Sequence, residues 1–119
     1  MDLDCGALDG AGFDSAAGLK IVGGKADRYA KLLQKFADRQ SGTVNEIRAA
    51  LDAGDSATAE RAAHSLKGSA STLGANVLAE SAAEVETAIR SGHGIEETLE
   101  TLSDSLRTVL SAIQHALSG

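Results

Sequence analysis

The sequence predicts an all-α protein, an antiparallel up-down four-helix bundle with a short N-terminal lid helix. Three observations predict it. Apolar residues recur at steps of three and four over long stretches, and none alternates with period two for long enough to propose a strand. Glycines punctuate the stretches at short intervals. The chain has 119 residues, no proline, no tryptophan and only 3% aromatics, so alanine and leucine carry the packing, which suits closely approaching helices. That length is one domain's worth, and an apolar content of 43% is enough to bury a core.

Residues 1–12 hold few large side chains, Leu3 and Leu8, among glycines, alanines and aspartates, and read as a flexible leader. The bundle domain is predicted over 13–119. Asp14 or Ser15 caps a short helix carrying Leu19, Ile21 and Val22, which Gly23-Gly24 ends. A long helix is predicted from Ala26 to Ala53, its stripe being Tyr29, Leu32, Leu33, Phe36, Val44, Ile47 and Leu51. Gly42 weakens its middle, so the helix is either continuous, kinked or broken there. Gly54 ends it and Asp55 caps the next, Ser56 to Thr72, with Ala59, Ala62, Ala63, Leu66, Ala70 and Leu73 inward. Leu78, Ala82, Val85 and Ile89 mark a helix over Asn76 to Arg90. After Gly92-His93-Gly94, the run Ile95, Leu99, Leu102, Leu106, Val109, Ile113, Leu117 marks the last, with near-heptad spacing.

Composition removes several functions. The formal net charge is −6, a poor basis for nucleic-acid binding. No apolar run approaches the ~20 residues of a membrane span. The acidic start, Met1-Asp2-Leu3-Asp4, is not a secretory signal. A single cysteine, Cys5, rules out an intramolecular disulfide and fits a reducing compartment.

One face breaks the packing logic. His64, Lys67, Gly68 and Ser71 fall at i, i+3, i+4 and i+7 on the outward side of the helix from Ser56 to Thr72. A mid-helix glycine costs about 1 kcal/mol relative to alanine, in a chain that uses alanine freely. Gly68 removes the side chain that would flank the imidazole one turn away. A neutral imidazole is a nucleophile near pH 7. If it took a phosphoryl group, the product would carry about two negative charges, which Lys67 could offset and Ser71 or Ser65 could hydrogen-bond. The face shows no carboxylate suited to polarise a base, no metal cluster and no phosphate-binding loop, so it could pass a phosphoryl group on but not bind ATP.

The run Ala63-His64-Ser65-Leu66-Lys67-Gly68-Ser69-Ala70-Ser71-Thr72-Leu73-Gly74-Ala75 closely resembles the signature of histidine-containing phosphotransfer (HPt) domains, H-x-L-K-G-(S/A)-(A/S)-x-x-(L/I/V)-G. Gly18-Leu19 through Gly23-Gly24, then Tyr29, Leu32-Leu33 and Phe36, resemble the lead-in of such modules in bacterial hybrid sensor kinases. The resemblance implies a phosphorelay intermediate in two-component signalling. His64 would accept phosphate from a receiver domain's aspartyl phosphate and donate it to another receiver, with Lys67 as electrostatic partner and Gly68 as clearance. It implies no cofactor bound by this domain, Mg²⁺ on the partner receiver, and no autonomous kinase activity. It also implies a cytoplasmic location, either free or as a module of a membrane-bound hybrid kinase. Many members place a polar residue on the following helix near the phosphohistidine. Glu86 falls at that spacing, but a carboxylate would repel the phosphoryl group, and the role is not carried over.

Residues 20–39 hold six cations against two anions, a local +4. Arg28, Lys31 and Lys35, with Arg61, are the candidates for docking a receiver, whose catalytic end is acidic. The expected partners are receivers, with no nucleic acid and no direct membrane contact, and the apolar positions are used up by one bundle, favouring a monomer. The competing reading is a non-catalytic helical interaction module with His64 incidental. The dimerisation and phosphoacceptor domain of a histidine kinase fits less well, because that module typically has a proline soon after its histidine and this chain has none.

Overall fold

Aspartates start three of the helices. The side chains of Asp4, Asp14 and Asp55 accept the backbone N–H of Ala7, Ala17 and Thr58, each satisfying an otherwise unpaired first-turn donor. The computed structural model describes residues 3–118. Among them the chain forms seven helices and no strand: α1 (Cys5–Asp9), α2 (Ser15–Ile21), α3 (Ala26–Gln40), α4 (Thr43–Asp52), α5 (Ser56–Leu73), α6 (Asn76–Ser91) and α7 (Ile95–Ser118). Together α3 and α4 act as the first long helix of the bundle, and α5, α6 and α7 are the other three. The molecule is a 45 × 21 × 20 Å rod.

The predicted long helix is two helices. Gly42 has φ −101° and ψ 4°, outside the helical region, and Thr43 begins a fresh turn. The break leaves the stripe in register: Tyr29, Leu33 and Phe36 of α3 and Val44 and Ile47 of α4 all enter the same core. The predicted stripes of α5, α6 and α7 are buried as well, with Ala62, Ile95 and Leu117 at the margins.

The leader predicted over 1–12 is a correction, its first two residues lying outside the described ones. Residues 5–9 are helical, and α1 packs on α7. Asp4 donates its N–H to the carbonyl of Ala116 at 3.1 Å, and Leu8 is completely buried. A single leucine among small residues has no periodicity to announce it. Its burial comes from a tertiary site at the end of the bundle, beside Phe13.

Next to α1, α2 lies across the C-terminal end of α5. Gly18 makes this possible, because a Cβ there would overlap the Leu73 carbonyl and the Tyr29 ring. Gly74 ends α5 at φ +84° and receives the Asp14 N–H on its carbonyl at 2.7 Å. The Tyr29 hydroxyl donates to the Leu73 carbonyl at 2.6 Å, and burial is the main cause of its pKa being pushed up to about 12. This end of the bundle fixes α5, and with it the face that carries His64.

Candidate functional site

The inward row of α5 is Ala59, Ala63, Leu66, Ala70 and Leu73, all buried. Helical geometry then turns His64, Gly68 and Ser71 out to solvent, with Lys67 at the edge facing α6. The His64 side chain is 64% exposed.

Below it, on α6, lies a residue the sequence reading set aside. Glu86 continues the row Leu78, Ala82 at four-residue spacing and is buried, its side chain 6% exposed. His64 Nδ1 is 2.8 Å from Glu86 Oε2, and Lys67 Nζ donates to Oε1 at 3.0 Å. Arg90, one turn further along α6, donates through Nη2 to Oε2 at 3.2 Å and through Nε to Glu60 on α5. The Lys67 hydrogen bond is the main cause holding the Glu86 carboxyl below its ordinary range; burial opposes it, and the His64 contact adds to the lowering.

The absence of a carboxylate suited to polarise a base, expected from the sequence, is therefore corrected. The α5 face carries none, but α6 supplies one from beneath. Repulsion of a phosphoryl group was the reason for setting Glu86 aside. The structure instead sets that carboxylate against three donors, the inner nitrogen of the ring, Lys67 and Arg90. Its signal was in the sequence all the same: Glu86 sits in register with an apolar row, and Arg90 follows at i+4.

An ionised carboxylate can only accept, so Nδ1 carries the ring proton and Nε2 keeps its lone pair. Nδ1 is tied inward, which leaves Nε2 on the exposed side. At Gly68 an added Cβ would meet nothing within 4 Å, so no packing demand inside the chain explains the glycine. Ser71 is exposed on the same face.

The docking candidates separate. Arg61 lines a shallow depression with His64, Glu86, Arg90, Glu60 and Ala57. Lys35 lies on a groove between α3 and α5, with Leu32, Phe36, Arg39, Ser69, Thr72 and Leu73. Arg28 and Lys31 are exposed on α3 and line neither of these surfaces. Among the described residues no three His, Cys, Asp or Glu side chains converge as metal ligands.

The profile of the Hpt domain family matches residues 31–116. This chain belongs to the Hpt domain family. Solved structures agree. Histidine-containing phosphotransfer protein B (HptB) of Pseudomonas aeruginosa PAO1 is 26% identical, with TM-score 0.80, over 90% of this chain and 95% of that one. The HPT domain of an Hpt sensor hybrid histidine kinase from Shewanella is 25% identical, with TM-score 0.77, over 91% and 95%. No curated protein matched the chain. As an Hpt domain, the chain functions in the phosphorelay of two-component signalling, where Hpt domains partner with response-regulator receivers.

Proposed function

We propose that Nε2 of His64 takes the phosphoryl group from a receiver's aspartyl phosphate and passes it to the aspartate of a second receiver. One observation carries the reading: an imidazole 64% exposed whose Nδ1 lies 2.8 Å from a buried, ionised glutamate. The ring is held by its inner nitrogen and offers the outer one, so little orientation remains to be found when a receiver docks. In the acceptance step the Nε2 lone pair forms the N–P bond while the aspartyl oxygen leaves with its electron pair. Mg²⁺ on the receiver supplies most of the charge stabilisation. Lys67, 3.0 Å from Glu86 and partly exposed, is near enough to offer its ammonium to the new phosphoryl oxygens. Gly68 leaves space for the receiver's active-site loop, and Ser71 is placed to donate a hydroxyl hydrogen bond. Arg61 and Lys35 border the approach with positive charge, and Arg28 and Lys31, exposed elsewhere on α3, add to the basic face of that helix.

We assign this activity to a cytoplasmic monomer. In support, no described helix is long and apolar enough to cross a membrane, and Ile21 and Val77 are the large apolar side chains left exposed among the described residues.

The test is phosphoryl uptake from a phosphorylated receiver. The wild type acquires an acid-labile, base-stable label, and His64→Gln, folded by circular dichroism, acquires none. Equal labelling of the variant would remove His64 from the reaction.

A further inference from the structure

Turning a ring does not require a charge. An amide in place of the Glu86 carboxylate would accept the Nδ1–H in the same geometry and would avoid the cost of burying an ion. The site instead buries an ion and surrounds it with cations. The charged groups facing the His64 ring are Glu60, Arg61 and Lys67 from α5 and Glu86 and Arg90 from α6.

We propose that the Glu86 carboxylate keeps Nδ1 of His64 protonated after phosphorylation as well as before it, so that the ring leaves as neutral imidazole when the phosphoryl group moves on. The inference rests on His64 being the phosphoryl acceptor. When Nε2 takes the phosphoryl group, the ring gains a positive charge shared with Nδ1–H, and the carboxylate 2.8 Å away stabilises it. On donation, a carboxylate oxygen of the receiving aspartate forms the new O–P bond. The N–P bond breaks and its electron pair returns to Nε2. No proton enters or leaves the ring in either step. Were Nδ1–H lost between the steps, the leaving group would be an imidazolide anion and donation would stall.

Lys67 completes the arrangement by holding Glu86 ionised, and Arg90 adds a hydrogen bond to Oε2. With its carboxyl held below the ordinary range, chiefly by the Lys67 hydrogen bond, Glu86 meets Nδ1 as an acceptor, and the shared proton sits on the ring side of the hydrogen bond. Glu60 holds Arg90 in turn, so the chain of contacts Glu60–Arg90–Glu86–His64 ties α5 to α6 at the reacting group.

The experiment uses the full chain charged with phosphoramidate and follows the phosphohistidine signal by ³¹P NMR from pH 6 to 9, alone and after addition of a receiver. An ordinary histidine has a pKa of about 6.5 and is roughly a hundredfold less protonated two pH units above it. Glu86→Gln is therefore expected to lose its phosphoryl group at least about tenfold more slowly than the wild type at pH 8.5, with the two converging near pH 6. Parallel profiles would overturn the proposal. ¹⁵N-histidine NMR of the phosphorylated wild type supplies a reading that needs no variant: Nδ1 should remain protonated at pH 8.5, and an unprotonated Nδ1 would also overturn it. Labelling that survives in His64→Gln would instead defeat the acceptor assignment itself, so the two failures are distinguishable.

Discussion

Gly68 is the residue whose identity is least explained by the chain's own stability. Nothing lies within 4 Å of where its Cβ would be, so a larger side chain would be accepted by the fold. Gly68→Gln should stabilise α5 by about 0.5–1 kcal/mol through helix propensity, read as a higher thermal midpoint. The same variant should slow uptake from a phosphorylated receiver while leaving self-labelling by phosphoramidate intact, because only the large partner needs the space. Unimpaired uptake from the receiver would show that clearance is not why the glycine is there. The outward placement of His64, Gly68 and Ser71, with Lys67 at the edge, was legible from spacing alone, since helical periodicity fixes which side chains leave the core. Glu86 was not. Judging a carboxylate by its formal charge predicts repulsion, whereas burial, Lys67 and Arg90 decide what that charge does. Arg90 follows at i+4 on the same helix, but Lys67 and His64 reach Glu86 only through the packing of α6 on α5, which spacing along one helix does not report.

Among the elements, the long helices were legible because each repeats its apolar stripe several times, and α1 was not because it has only five residues and one large side chain. The structure gives α1 a definite task. Leu8 is fully buried in the common core, and the Asp4 N–H reaches the end of α7. Leu8→Ala should therefore destabilise the domain by roughly 2–5 kcal/mol, the range for emptying a buried leucine site, measured by urea unfolding. No change would return residues 5–12 to the status of a leader outside the bundle. The interruption between α3 and α4 teaches the complementary lesson. A glycine can end one helix and let the next begin without moving the stripe, so Gly42 alters the backbone while the core positions predicted across it hold. The close crossings of α2 over α5 depend on Gly18 and Gly74, whose missing side chains let backbone meet backbone.

At the scale of the whole molecule, a chain of net charge −6 carries a local +4 over residues 20–39. A net acidic protein repels an acidic partner at long range, so a basic patch matters for which side the partner meets. Lys35 borders the groove on the α3 side of the His64 helix, and Arg61 stands in the depression that contains His64. Lys35 thus stands beside α5, and Arg61 projects from α5 itself. Reversing charge on α3 alone, Lys31→Glu with Lys35→Glu, leaves the network at Glu86 untouched. Transfer from a phosphorylated receiver should then slow by about tenfold at low ionic strength, and the gap to wild type should narrow as salt is added. Self-labelling by phosphoramidate should stay at the wild-type rate, because that reagent approaches the ring without docking on α3. Wild-type transfer at low salt would mean that the basic face of α3 is only a solvated surface. A loss of both activities would mean that the substitutions had disturbed α5 itself. The pairing of the two donors, one that must dock and one that need not, is what separates steering from chemistry.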